Sequence, residues 1–341
     1  MPEGIIGKQV SPWLEQQVPE FQSPVNYQLI TGGHSNLTFK CEDVTGKAVV
    51  LRRPPLAHVL ESAHDMSREY RIIHALRETA VPVPEALGLC QDKAVNGADF
   101  YVMDYVEGVV LNDAVIGLSI PAQERSALAH DVIHILCDLH AVDMDAVGLG
   151  TLGRKEAYLA RQLNRWNKQW QATKTHEIPD MEASAALLLE RMPEQVGASI
   201  VHGDFRLGNM IVSQARVQAI LDWELCTLGD PLADLGYLLN NWLDADEVDG
   251  IEQADQPPTA VGGYPSRASL CELYSARTGR DLSHINYYRA FQHWRLAAIG
   301  QGVYKRYLVG AMGEDHDVDL ARQKEGVARR AQAAMELLHS N

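Results

Sequence analysis

Val201-His202-Gly203-Asp204-Phe205-Arg206-Leu207-Gly208-Asn209 runs on through M-I-V-S-Q-A-R-V-Q-A-I-L to Asp222-Trp223-Glu224, and the reading of these residues, 201–224, decides the fold. Two short apolar runs, 210–212 and 217–221, read as strands of a hairpin with a tight turn near Ala215-Arg216. A turn centred between those two residues sets Asn209 opposite Asp222. Directly opposed residues of an antiparallel pair have Cβ atoms roughly 4.5–5.5 Å apart. A carboxamide and a carboxylate then meet at the open end of the hairpin, an oxygen donor set suited to Mg²⁺. Asp204 lies on the loop leading into the hairpin. One aspartate to orient a hydroxyl and an Asn/Asp pair to hold metal on a nucleotide describe a phosphoryl-transfer centre.

Composition bounds the alternatives. A chain of 341 residues can hold two lobes with sizeable cores or one large domain, and its 46% hydrophobic and 22% charged content is that of a soluble globular protein. No apolar run is long enough for a membrane span. The start, M-P-E-G-I-I-G-K, lacks the basic-then-apolar layout of a signal peptide. Five cysteines without zinc or redox spacing argue against a disulfide framework. A cytoplasmic location is expected. The net charge of −15 opposes nucleic-acid binding, which needs basic surface, and taken alone it favours a cationic small-molecule partner.

Tyr27 to Ile30, Leu37 to Cys41, Ala48 to Leu51 and Phe100 to Val106 read as strands, and Ser67 to Glu78 as a helix stopped by V-P-V-P. Beyond Glu107-Gly108 the periodicity turns helical: Gln123 to His140, Arg154 to Gln171, Met181 to Met192 and much of 286–340. Residues 244–265, with six acids and no base, read as a solvated loop, the rival reading being a substrate-gating insert.

H-G-D-x-x-x-x-N followed by I-L-D-W-E resembles the aminoglycoside phosphotransferase family, which has a protein-kinase-like fold; protein kinases carry H-R-D-x-x-x-x-N and D-F-G at these places. The resemblance implies an α+β, two-lobe architecture: a strand-rich N-lobe over 1–107 and a helical C-lobe over 108–341, hinged near 104–108. It implies ATP as co-substrate with Mg²⁺, a catalytic Asp204, and metal ligands Asn209 and Asp222. Trp223-Glu224 stands where kinases have Phe-Gly.

Other kinase parts have candidates. Gly32-Gly33-His34-Ser35-Asn36 joins two strands and is similar to the family's G-G-x-S-N-x-T segment, which makes Gly33, Ser35 and Asn36 candidates for covering phosphates. The third strand offers Arg52 and Arg53 in place of the kinase Lys. Alternation puts Arg52 on the face of Val50 and Ala48 and makes Arg53 its solvated neighbour. Glu69 falls on the apolar stripe with Ile72, Ile73 and Leu76, where a carboxylate needs a partner, and Arg52 is that partner. Phe100 to Gly108 resembles the strand and hinge that bind adenine through the backbone, with Asp104 and Val106 as positions. Asp230-Pro231 reads as N-cap and first helical residue. Asp234 follows in the first turn, where the resemblance implies that it braces the catalytic loop. His202 reads as a scaffold residue of that loop.

The segment 287–306, with V-L-R-R-P-P and C-T-L-G-D-P-L-A-D-L-G-Y, is more similar to the phosphotransferase domain found beside acyl-CoA dehydrogenase domains. That implies a hydroxylated acyl acceptor. Arg289, Arg295, Lys305 and Arg306 suit an anionic ligand, with Arg295 the candidate contact. An aminoglycoside, choline or sugar kinase, or a nucleotide-binding module without turnover, remain the alternatives.

Overall fold

The computed structural model describes residues 1–30, 36–56, 65–244, 246–247, 256–310 and 319–340. Gly33 and Ser35 lie outside the described residues, as does much of the acidic stretch after Asp244. In chain order the elements run α1 (Gly7–Gln17), β1 (Asn26–Leu29), β2 (Leu37–Glu42), β3 (Ala48–Arg53), α2 (Met66–Leu76), β4 (Ala86–Cys90), α3 (Lys93–Asn96), β5 (Phe100–Asp104) and β6 (Val109–Val110). They continue with α4 (Ala114–Gly117), α5 (Arg125–Ala141), α6 (Tyr158–Thr173), α7 (Pro179–Glu190), β7 (Ser199–Val201), β8 (Met210–Ser213) and β9 (Arg216–Ile220). Then come β10 (Thr227–Gly229), α8 (Leu232–Asn240), α9 (Arg267–Thr278), α10 (Ile285–Leu308) and α11 (Leu320–His339).

The chain divides into two compact units. The first is 1–111 with 145–149 and 207–225; the second is 112–144, 150–206 and 226–341. The sequence boundary at 107/108 therefore falls close to the first crossing, but the β8–β9 hairpin groups with the N-terminal sheet.

The first unit is an antiparallel sheet of order β1-β2-β3-β5-β4. Its inward positions are apolar: Phe39 and Cys41 on β2, Val49 and Leu51 on β3, Phe100 and Val102 on β5. Helix α1, which the sequence reading missed, covers them with Val10 and Leu14 despite carrying Pro12. Burying such side chains contributes roughly 1.5–3 kcal/mol each. Strand β4 was missed as well. Helix α2 starts at Asp65, whose carboxylate accepts from the Arg68 N–H at 3.0 Å, and it buries Met66, Glu69, Ile72, Ile73 and Leu76 on one stripe. Gly108 is fixed by space, since a Cβ there would stand 2.6 Å from Ile211 and 2.7 Å from the Val212 carbonyl.

The hairpin corrects the expected register. Gln214 and Ala215 form the two-residue turn, both at positive φ (51° and 53°), and Ser213 pairs with Arg216. Val212 pairs with Val217, yet Ile211 pairs with Ala219, so Gln218 is an extra residue that shifts the register by one. Asn209 therefore faces Leu221, whose N–H donates to the Asn209 carbonyl at 2.8 Å, and Asp222 is the next residue on.

The second unit is helical. Helix α10, with Tyr287, Tyr288, Phe291 and Trp294 buried, packs against α6, α8 and α11. Helix α8 buries every residue from Leu232 to Leu239. It begins one residue later than expected, although the Asp230 carboxylate still accepts from the Leu232 N–H at 3.1 Å. Helix α9 was not read from the sequence. Two of the three described acids of the acidic stretch are ion-paired, Glu247 with Arg267 at 2.6 Å and Asp244 with it at 3.8 Å, while Asp246 is exposed as a solvated loop requires. Gln256 and Thr259 are buried. Among the described residues no helix is long and apolar enough to cross a membrane, and all five cysteines are free.

Candidate active site

In the first unit, Arg52 stands between two carboxylates. Its Nε lies 3.3 Å from Glu69 Oε2, and its Nη2 donates to Asp222 Oδ1 at 2.6 Å. Strand alternation brings Arg52 here, and helix periodicity brings Glu69, which is 2% exposed. Burial works against the guanidinium charge, but Glu69, then Tyr101 and Asp222, outweigh it and raise the Arg52 pKa. Burial pushes the Glu69 carboxyl up, and Arg52 offsets part of that push. Tyr101, fully buried on β5 beside this group, is raised by burial and then by the Glu69 charge; nothing in its sequence context marks it.

Asp222 has φ 66°, a left-handed conformation that few non-glycine residues adopt, and it stands two residues beyond the end of β9. Its side chain is 29% exposed. Trp223 after it is buried, with its indole N–H donating to the Ile220 carbonyl at 3.1 Å. Asn36 is buried and donates to Glu224 Oε2 at 3.4 Å. Asn209, 7% exposed, is held through its backbone one register step from Asp222. A carboxylate and an amide oxygen are hard donors of the kind Mg²⁺ takes, so the residues fit that ion. The Asp104 N–H donates to the Glu85 carbonyl at 2.9 Å, and Asp104 and Val106 are both partly exposed.

Arg53 departs from expectation. It is 7% exposed, and its Nη1 donates to the carbonyls of Gly4 at 2.5 Å and Asn96 at 3.2 Å. The outer face of β3 at its end is covered by the N-terminal segment, which strand alternation alone does not reveal.

In the second unit, Asp234 receives the backbone N–H of His202 at 2.7 Å on Oδ2 and that of Gly203 at 2.8 Å on Oδ1. The Asp204 N–H donates to His202 Nδ1 at 3.2 Å, which places the proton of a neutral ring on Nε2. Gly203 has φ 84°, the conformation glycine adopts without a Cβ penalty. Its carbonyl is held from the other side, where Arg295 Nη2 donates at 2.6 Å. The loop is thus held through both the N–H and the carbonyl of Gly203, immediately before Asp204.

Arg295, expected at the acceptor, is instead 3% exposed, bound to this loop, with its guanidinium 5.3 Å from the Tyr237 ring centre. The Tyr237 hydroxyl is a hydrogen-bond partner of Asp204; burial first, then the Asp204 charge, raises its pKa. Arg206 Nε lies 3.4 Å from Asp204 Oδ1. Behind Asp234, buried His140 presents Nε2 to Oδ2 at 3.4 Å and Nδ1 to the Tyr274 hydroxyl at 2.8 Å. Burial lowers the His140 pKa, and Asp234 pulls it back in part. Arg206, Tyr237 and His140 escaped the sequence reading. Arg206 alone carried a local signal, two residues after Asp204.

The strand-rich first unit and the helical second unit define a kinase-like α+β fold. The phosphotransferase enzyme family, APH, matches residues 26–270, and the chain belongs to it. Acyl-CoA dehydrogenase family member 10 of Mus musculus is 39% identical over 285 residues, which are 82% of this chain and 26% of that one; the chain spans about a quarter of this relative's length. A Ralstonia eutropha JMP134 protein classed among the aminoglycoside phosphotransferases has a solved structure with TM-score 0.80 and 34% identity, covering 98% of each chain. Aminoglycoside phosphotransferase APH(4)-Ia, solved in a ternary complex with AMP-PNP and hygromycin B, shares the fold at TM-score 0.61 and 17% identity, with 97% of this chain and 98% of that one covered.

Proposed function

We propose that the chain transfers the γ-phosphate of ATP to a hydroxyl of a small molecule, and that this acceptor is a hydroxylated acyl compound. The observation that carries the first part is Arg52 held between Glu69 and Asp222. A strand cation tied to a helix carboxylate is how kinase-like enzymes position the α/β-phosphates. Asp204 is the base: its carboxylate takes the acceptor hydroxyl proton as the hydroxyl oxygen bonds to the γ-phosphorus and the bond to the bridging oxygen of ADP breaks. Asp234, His202 and Arg295 hold the loop that carries it. Asn209 and Asp222 are the residues that would hold Mg²⁺, which when bound neutralises charge on the β- and γ-phosphates. Asn36, with Gly33 and Ser35, would cover the phosphates, and the backbone at Asp104 and Val106 would meet adenine.

The acyl part of the reading is supported by a 39%-identical relative named as an acyl-CoA dehydrogenase family member. The test has two arms. Calorimetry of ATP binding to wild type and Asp222→Ala, with and without Mg²⁺, is expected to show magnesium strengthening ATP binding in wild type only. A screen of hydroxy acids, hydroxyacyl thioesters and aminoglycosides, with mass detection of phosphorylated products, is expected to find the acyl compounds as acceptors. Turnover of aminoglycosides with none of the acyl panel would reverse the acceptor assignment.

A further inference from the structure

We infer that Arg289, His293 and Arg330 form an anion subsite in the second unit, adjoining Tyr237 and Asp204, that takes the ionised end of the acceptor, a carboxylate or a phosphate monoester. The inference rests on the phosphotransferase reading, since the anion it takes belongs to that acceptor.

Arg289 and His293 are four residues apart on α10 and therefore share a face. Arg289 is pinned to the end of α8: its Nε donates to Asn240 Oδ1 at 3.1 Å, and Asn240 Nδ2 donates back to the Arg289 carbonyl at 2.8 Å. The two helices touch closely there, since a Cβ on Gly236 would lie 2.9 Å from Tyr288. That grip uses only Nε. The two terminal nitrogens of Arg289 donate to no described residue. Arg330, on α11, is exposed and makes no hydrogen bond or ion pair with any described residue. His293 Nδ1 is buried without a hydrogen-bond partner.

Helix α11 packs against α10, where a Cβ on Gly300 would lie 3.4 Å from Val327, and Arg330 stands one turn on from Val327. Burial first, then the charges of Arg330, Arg289 and Arg267, push the His293 pKa down to about 3, so the ring is neutral and offers one donor. Arg267 has its own acids, Glu247 at 2.6 Å and Asp244 at 3.8 Å. Those acids also act on Arg289, where burial and Arg267 oppose them and lower its pKa. Arg330 has none. The cluster reaches the catalytic loop through Tyr237, which feels the Arg330 charge and whose hydroxyl partners Asp204. Tyr237 precedes Asn240 by three residues on α8, so both face the same way. Two guanidinium groups with free planar edges, beside a neutral imidazole, are the donor set for a bidentate carboxylate or phosphate.

The test uses the whole chain under saturating MgADP and three probes of one length: octanoate, octyl phosphate and neutral octanamide. Calorimetry is expected to show an anionic probe binding wild type at least about tenfold more tightly than octanamide, the worth of a charge-assisted hydrogen bond. Arg330→Gln, a surface change that keeps the fold, and Arg289→Gln should each weaken that probe roughly 10–100-fold while octanamide is unaffected. Whichever anion binds more tightly names the group, carboxylate or phosphate. The inference is overturned if octanamide matches the anions, if neither anion binds, or if both variants bind them as wild type does. MgADP binding is read first. Its loss in wild type would strike the phosphotransferase reading and leave the anion measurement, then made without nucleotide, to stand or fall alone.

Discussion

Asp222 and Asp204 are held in opposite ways. Asp222 sits on a left-handed residue at the end of a strand and is restrained by a cation, Arg52, which Glu69 in turn fixes. Asp204 follows Gly203, whose N–H and C=O are both gripped, by Asp234 and Arg295, so the loop that carries it is held through its backbone. The first arrangement sets charge and the second sets position. A change of charge should therefore hurt the first region most, and a change of shape the second.

The largest effect expected is on rate. Asp204→Asn keeps the shape and removes the base, and should lower acceptor-dependent turnover by roughly 10²–10⁴-fold with MgATP affinity near wild type. Unchanged turnover would remove Asp204 from the chemistry and dissolve the comparison. Asp234→Ala comes next. It leaves two buried N–H groups without an acceptor, each worth about 1–3 kcal/mol, so urea unfolding should show a loss of about 2–6 kcal/mol. Asp234→Asn, which keeps one acceptor oxygen, should recover part of it; equal losses in the two variants would show that charge, not geometry, governs this region.

Glu69→Gln probes the other region. It preserves volume and takes away half of the restraint on Arg52, at a cost of about 1–3 kcal/mol. ATP affinity should fall in step, since Arg52 is no longer aimed, and a variant that binds ATP as wild type does would make the ion pair a purely structural feature.

The smallest expected effect is in pH. Burial holds the His140 pKa below its ordinary 6.5, so the native ring is neutral while the unfolded one takes up a proton. The stabilisation is complete above pH 6.5 and is lost as pH falls below it, with a slope of at most about 1.4 kcal/mol per pH unit. Denaturation of wild type and His140→Gln at pH 7, 6 and 5 should give a steeper loss in wild type; parallel curves would mean that Asp234 keeps His140 charged.

What the sequence made legible was whatever is local. Asp204, Asn209 and Asp222 stand within one motif, and Glu69 declares itself by sharing a stripe with Ile72, Ile73 and Leu76. The register of the hairpin was misread because nothing about Gln218 marks it as the extra residue. Arg53 reads as solvated in the sequence because alternation says which face a side chain has, and not that the carbonyls of Gly4 and Asn96 cover that face. Arg295 was read by its charge, whereas its place is decided by a carbonyl 92 residues earlier in the chain. Helix α1, with Pro12 and two buried anchors, gives too weak a periodic signal to stand out.

The Gln218 bulge also bears on how such a chain can change over generations. Its turn, Gln214-Ala215, adopts a conformation that asparagine and glycine favour, so residue identity there has room to drift, and drift toward Asn-Gly would ease the backbone. Length has no such room. One residue gained or lost between Ser213 and Asp222 would turn the strand over and send the Asp222 carboxylate away from Arg52. Lineages descended from this protein should therefore vary freely in the letters of the hairpin tip and hardly at all in the number of residues between Asn209 and Asp222.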